Sequence, residues 1–331
     1  MKKQTWTTFG RSRTENPLAV GIVLASVMAI VTPLAHSQVV NSTQNPKQIA
    51  ILHWYAANTA TRFAVGIHPA GMAFDGTNIW VSNYGSNTVT KMQANDGTLA
   101  GTFPVGVNPL GVAFDGANIW VANAGGNSVT KLRARDGALL KTLSICNPFS
   151  FAFDGTNMWV SNPGCNSITK LRPSDGTVLA TISVGAYPLG VAFDGANLWI
   201  ANSHANIVTK LRARDGVVLG TFAVGSAPQG VVFDGTNVWV TNYSSNNVTK
   251  LRASDGAVLG TFKVGTGPQG IVYDGANIWV ANTTSNNVSK LAASSGAVLG
   301  TFVAGTSPDG VAFDGTNIWV ANAGSNTVSK F

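Results

Sequence analysis

The chain has 331 residues, 11% of them charged, with 37 glycines, two cysteines and a formal net charge of +7. A charge excess this mild is weak evidence for a polyanion partner. Two cysteines exclude a disulfide-framework miniprotein.

Residues 1–37 differ from the rest. Lys2, Lys3, Arg11 and Arg13 precede an apolar stretch from 18 to 31, and Ala35-His36-Ser37 supplies small residues before Gln38. This is the layout of a secretory signal peptide. A retained membrane anchor is the alternative, since the apolar stretch approaches the length that spans a bilayer. Either reading places the remainder outside the cytoplasm, periplasmic or secreted, with no transmembrane segment once the signal is cleaved. Cleavage takes off three net positive charges and leaves +4, and it removes Glu15, the only glutamate. Residues 38–52, rich in Gln, Asn and Ser, read as a linker.

From residue 53 onward one unit recurs. Asp75, Asp115, Asp154, Asp194, Asp234, Asp274 and Asp314 each open an Asp-Gly-x-Asn tetrad, and Trp80, Trp120, Trp159, Trp199, Trp239, Trp279 and Trp319 follow them. The period is 40 residues, with a single 39 between Asp115 and Asp154. A fixed period in this range marks a solenoid, an array or a propeller.

Within one copy, runs rich in β-branched and aromatic residues cover 230–233, 237–241, 247–252 and 258–264. Asp234-Gly235 and Asp255-Gly256 lie between them, and Asp-Gly supplies the positive φ of tight hairpins. Each copy is therefore predicted to be a four-stranded antiparallel meander. Its second strand, Val238-Trp239-Val240, is apolar without interruption, so both faces should be covered. The Phe or Tyr before each Asp, with the Trp after it, supplies the apolar area to join one copy to the next.

Seven repeat lengths cover 279 residues, the span from His53 to Phe331. The last copy stops in its third strand, and 61–66 matches the missing fourth. The expected fold is all-β: a seven-bladed β-propeller over 53–331 whose N-terminal strand completes the C-terminal blade. Closure removes the open edges that an array would present.

The two kinds of loop should fall on opposite faces. One face gathers the hairpin aspartates and Asp96, Asp136, Asp175, Asp215 and Asp255, with Arg133, Arg135, Arg172, Arg212, Arg214 and Arg252 close in sequence. These read as solvated turn residues and surface ion pairs. A calcium site is disfavoured, because each loop carries one carboxylate rather than several.

The opposite face holds the lead-in loops of the first strands, built on Val-Gly-x-x-Pro-x-Gly, and the loops between second and third strands. Its only acid is Asp309. The residue after each Pro is Ala70, Leu110, Phe149, Leu189, Gln229, Gln269 or Asp309, an apolar arc followed by a polar one. His68 and Tyr187 precede two of the prolines, and His204 lies in the fourth copy's other loop. A funnel with apolar and polar sides is a reasonable ligand site, although drift at loop positions free of packing constraint would leave the same variation. The candidate ligand-binding set is His68, Leu110, Phe149, Tyr187, Leu189, His204, Gln229, Gln269 and Asp309. The scarcity of Lys and Arg here argues against nucleic acid on this face. Cys146 and Cys165 both belong to the third copy's loops on this side. A disulfide is expected, with two free thiols as the alternative. No metal ligand set, cofactor motif or catalytic pair is apparent.

The segments Trp239-Val240-Thr241-Asn242, Trp120-Val121-Ala122-Asn123 and Trp80-Val81-Ser82-Asn83, each leading to a Val-Thr-Lys run, resemble the YVTN-type β-propeller repeats of exported prokaryotic proteins, with Trp in place of Tyr. That resemblance implies periplasmic, secreted or cell-surface proteins that bind or scaffold. The uncharged face suits a protein or neutral glycan as partner, and the chain is expected to be a monomer. In repeat style the chain is also similar to NHL-like propellers and to the streptogramin lyases, enzymes that open a lactone by elimination. The lyase resemblance implies a magnesium site with catalytic His and Glu. The chain departs there, since no Glu follows residue 15 and its histidines are scattered.

Overall fold

The computed structural model describes residues 61–331. The proposed signal peptide 1–37 and linker 38–52 lie outside the described residues, as do the first residues of the predicted propeller, 53–60.

Blade 5 illustrates the unit. Its strands are Pro228–Phe233, Asn237–Asn242, Asn247–Arg252 and Val258–Lys263, hydrogen-bonded in that order and antiparallel. The first strand begins two residues before the predicted run, because Pro228 still pairs with Asn242 across a bulge that ends at Val231. At the first turn Asp234 Oδ1 accepts the N–H groups of Thr236 and Asn237 at 2.9 and 2.6 Å, while Gly235 holds φ at +94°. At the second turn Asp255 Oδ1 accepts the N–H of Ala257 at 3.0 Å, and Gly256 holds φ at +78°. Asp-Gly thus serves both turns, the carboxylate bridging donors that the bend leaves unpaired.

Seven such four-stranded sheets form the ring, numbered here as blades 1 to 7 in chain order. Blade 7 is composite: Thr61–Ala64 pairs with Thr327–Lys330, Phe63 opposite Val328. The seam behind it is packed like the others, since Trp319 of blade 7 is buried among Ile79, Val81 and Met92 of blade 1. The predicted closure is what the register shows.

Second strands are buried on both faces, as their uninterrupted apolar character requires. Each Trp enters a cluster with the following blade. Trp80, for instance, packs with Ile119, Val121 and Leu132 and with Phe114, the aromatic before Asp115. A second aromatic partner was not foreseen: Phe103 on the fourth strand of the Trp's own blade, its ring centre 5.5 Å away. A third is cationic. In every blade a lysine Nζ sits 4.8–5.2 Å over the Trp ring. Six of these lysines also donate to backbone carbonyls of the next blade at 2.5–2.9 Å. The ring face and the carbonyls together compensate an ammonium taken out of water.

Fourth strands form the outer edges, and their first residues, such as Val258 and Leu259, are exposed. First strands line the central channel. There the glycine after each variable residue allows the next blade to approach: a Cβ on Gly310 would fall inside contact distance of the Ala70 carbonyl oxygen. Blade 3 breaks this rule with Ser150, and its first strand shrinks to Phe151–Phe153.

Candidate functional site

The two loop types on the low-charge face are tied together. Tyr84 N–H donates to the His68 carbonyl at 2.9 Å, and Tyr243 N–H donates to that of Ala227 at 3.0 Å. Across each seam an Asn from one blade accepts the N–H of the residue preceding the next blade's Pro, as Asn166 does from Tyr187 at 2.9 Å. All seven seams carry this bond at 2.8–2.9 Å. The residue before Pro is left-handed in every blade, with φ between +38° and +64°. Only blade 6 uses glycine there, Gly267; His68, Asn108, Asn147, Tyr187, Ala227 and Ser307 hold the same conformation with side chains attached. That geometry is unfavourable for L-residues, and it fixes where each side chain leaves the ring.

The residues after the prolines converge on one cavity of about 450 Å³ at the mouth of the channel. Leu110, Phe149 and Leu189 line one side, Gln229, Gln269 and Asp309 the other, and Tyr187 lies at the border. The volume falls in the range of small-ligand sites. The two histidines of the candidate set are not brought together and do not line the cavity. His68, in blade 1, packs on Tyr84 with ring centres 5.4 Å apart. His204, in blade 4, stacks on Tyr187 at 4.2 Å with the planes 8° apart. His204 therefore supports the position of a lining side chain.

Asp309 is half-buried, with part of its surface open to the channel. Burial pushes its carboxyl up to about 6, and the nearby charge of His68 works in the opposite direction. Gln269 is held in place, its Oε1 accepting the Thr283 hydroxyl at 2.9 Å, while the same hydroxyl lies 2.7 Å from the Pro308 carbonyl. Thr283 escaped the sequence reading because the corresponding loop position has no constant residue. Ser150 also escaped it, although the break in the glycine series was visible.

Cys146 and Cys165 form a disulfide, with Cα atoms 6.4 Å apart. Its place in the repeat is informative. In blades 1, 5, 6 and 7 the position of Cys165 is a serine, whose hydroxyl accepts an N–H of the lead-in loop at 2.7–3.2 Å. Blade 3, one residue shorter in that loop, makes the same connection covalently.

On the opposite face Arg133, Arg172, Arg212 and Arg252 pair with Asp136, Asp175, Asp215 and Asp255 at 2.9–3.1 Å, all solvent-exposed. The hairpin aspartates there are not simply solvated. Each accepts the indole N–H of its blade's buried Trp at 2.7–2.8 Å. Among the described residues no group of three or more His, Cys, Asp or Glu side chains is placed to hold a metal ion, and no helix is long and apolar enough to cross a membrane.

No protein-family profile matches the sequence, and no curated protein matches it. Solved structures do. A streptogramin B lyase aligns with a TM-score of 0.71 at 18% identity over 82% of this chain and 96% of that one. Virginiamycin B lyase from Staphylococcus aureus gives 0.71 at 17% identity over 82% and 98%. The hydrazine synthase of Kuenenia stuttgartiensis gives 0.72 at 19% identity over 80% and 95%. The chain is thus a seven-bladed β-propeller repeat protein, streptogramin lyase-like in fold. The magnesium site expected from the lyase resemblance of the repeats does not fit the residues present. The low-charge face offers one carboxylate, Asp309, and its two histidines lie three blades apart.

Proposed function

We propose that this protein is an exported, non-catalytic binding module, acting as a monomer, whose ligand is a protein or a neutral glycan received at the mouth of the channel. The carrying observation is that the residues following the seven prolines differ in character, apolar on one arc and polar on the other, around a shared cavity. Export draws support from the charged and apolar layout of residues 1–37 and from the disulfide between Cys146 and Cys165, which an oxidising compartment maintains.

Capture of partners from an envelope fraction tests the reading. The wild-type protein should retain a partner that the double variant Phe149→Asp and Leu189→Asp loses, and equal recovery would remove this face from consideration. A lyase-type enzyme is the competing reading, favoured only by the shared fold. It requires bound magnesium and lactone turnover that His204→Ala abolishes. Nucleic-acid binding through the Arg-bearing rim would require affinity that falls steeply with salt.

A further inference from the structure

The polar arc of the cavity is incompletely satisfied. Among the described residues no backbone or side-chain donor reaches the Asp309 carboxylate, and His68 acts on it without an ion pair. Among the described residues the Gln229 side chain makes no hydrogen bond, and the Gln269 carboxamide makes one, its oxygen accepting from the Thr283 hydroxyl. Blades 5 to 7 therefore present one unpaired negative charge and neighbouring amide groups, while Leu110, Phe149 and Leu189 offer apolar surface opposite.

A complementary ligand must bring a cation that only donates, carried on an apolar body. An anion would be repelled, and a hydroxyl would leave the charge uncompensated. An ammonium has three donors and no acceptor, matching a carboxylate that no donor among the described residues reaches. Resting on the binding-module reading above, we infer that the cavity takes a primary ammonium on an apolar stem, as at the end of a lysine side chain or at a peptide N-terminus. The ammonium sits on Asp309 and the stem lies along Leu110, Phe149 and Leu189. The ionised carboxylate is the form that burial penalises, and it therefore gains most from an opposite charge.

Binding of three short peptides to the whole protein, followed calorimetrically, tests the inference. The first has blocked ends and a central lysine between leucines; the second replaces that lysine by glutamine; the third is the glutamine peptide with a free N-terminus. A charge-assisted hydrogen bond in this setting predicts about 10- to 100-fold tighter binding for an ammonium-bearing peptide than for the fully blocked glutamine peptide. Comparison of the first and third shows which source of ammonium is preferred. Asp309→Gln should abolish the advantage. That variant installs the residue that Gln229 and Gln269 already place at the same position in blades 5 and 6, and a cooperative unfolding transition at or above the wild-type temperature confirms its fold.

Equal binding of all three peptides, no binding of any at millimolar concentration, or an advantage that survives Asp309→Gln would each overturn the inference. None of these outcomes touches the capture experiment with Phe149 and Leu189, whose failure would instead remove the binding-module reading itself.

Discussion

The indole Nε1 of Trp239 donates to Oδ2 of Asp234 at 2.7 Å, while the other oxygen of that carboxylate caps the turn. Trp239 is fully buried and carries a single polar group, so its N–H needs an acceptor inside the protein. One aspartate thereby joins the turn on the rim to the packing between blades. The repeated Asp-Gly-x-Asn and Trp motif is a single hydrogen-bonded unit rather than a turn signal followed by a core residue.

Removing either end should be costly, and unequally so. Trp239→Phe deletes the donor and keeps most of the ring, for an expected loss of about 1–2 kcal/mol. Asp234→Ala leaves the buried indole without a partner and frees two turn N–H groups, so it should cost more, roughly 2–4 kcal/mol. Urea unfolding of the two variants checks the order. An aspartate variant as stable as wild type would show that the bond contributes nothing.

The channel glycines predict a seam defect. Gly310→Ala places a methyl group against the Ala70 carbonyl of blade 1, at the seam that joins the last blade to the first. Overpacking of this kind costs about 1–3 kcal/mol. Thermal unfolding should show the loss, and a neutral result would mean that the blades move apart without penalty.

Reduction of Cys146–Cys165 should also destabilise the ring. The bond closes a loop with a sequence separation of 19, for which chain-entropy arguments give about 3 kcal/mol. Unfolding with and without a reducing agent measures it, with Cys165→Ser as the comparison. Serine at this position restores the hydroxyl of blades 1, 5, 6 and 7 and should recover only a small part of the difference.

The carboxylates give two opposite dependences on pH. For Asp115, Asp154, Asp194, Asp274 and Asp314, partial burial alone would raise the pKa, but hydrogen bonds from the indole, the Asn side chain and turn N–H groups outweigh it, and each is lowered from 3.8. Their contribution is present above about pH 4 and is lost as pH falls below it. Asp309 runs the other way. Raised by burial to about 6, it binds a proton more readily folded than unfolded, so stability declines as pH climbs from about 4 to about 6. Asp309→Asn should therefore unfold at a higher temperature than wild type at pH 7 and lose that advantage at pH 4. Identical curves at both values would show that the carboxyl is not perturbed.

Blade number, strand order and closure were legible in the sequence because they rest on local chemistry repeated at a fixed interval: Asp234-Gly235, Asp255-Gly256, and the fourth strand at Thr61 displaced to the opposite end. The ring of variable residues was legible for a related reason, since Leu110, Gln229 and Asp309 differ where their surroundings do not. What stayed hidden depends on where side chains meet once the strands are placed. Lys91 over Trp80, the stack of His204 on Tyr187, and the indole bond to each aspartate require the backbone path before their side chains can be seen to meet. The left-handed backbone at His68 and Tyr187 was hidden as well, because neither residue type announces a positive φ and the Asn that accepts the N–H of each belongs to the preceding blade.

The seam bonds from Asn to the residue before each Pro give the channel mouth an unusual property as a substrate for engineering. Each blade's backbone is pinned by groups outside the variable side chain, so the seven positions behave as separate sockets on a common frame. Read around the ring, the present molecule spells Ala, Leu, Phe, Leu, Gln, Gln, Asp. Exchanging a single letter for one that another blade already accommodates should alter what the mouth binds while the frame persists, so specificity can be rewritten one blade at a time.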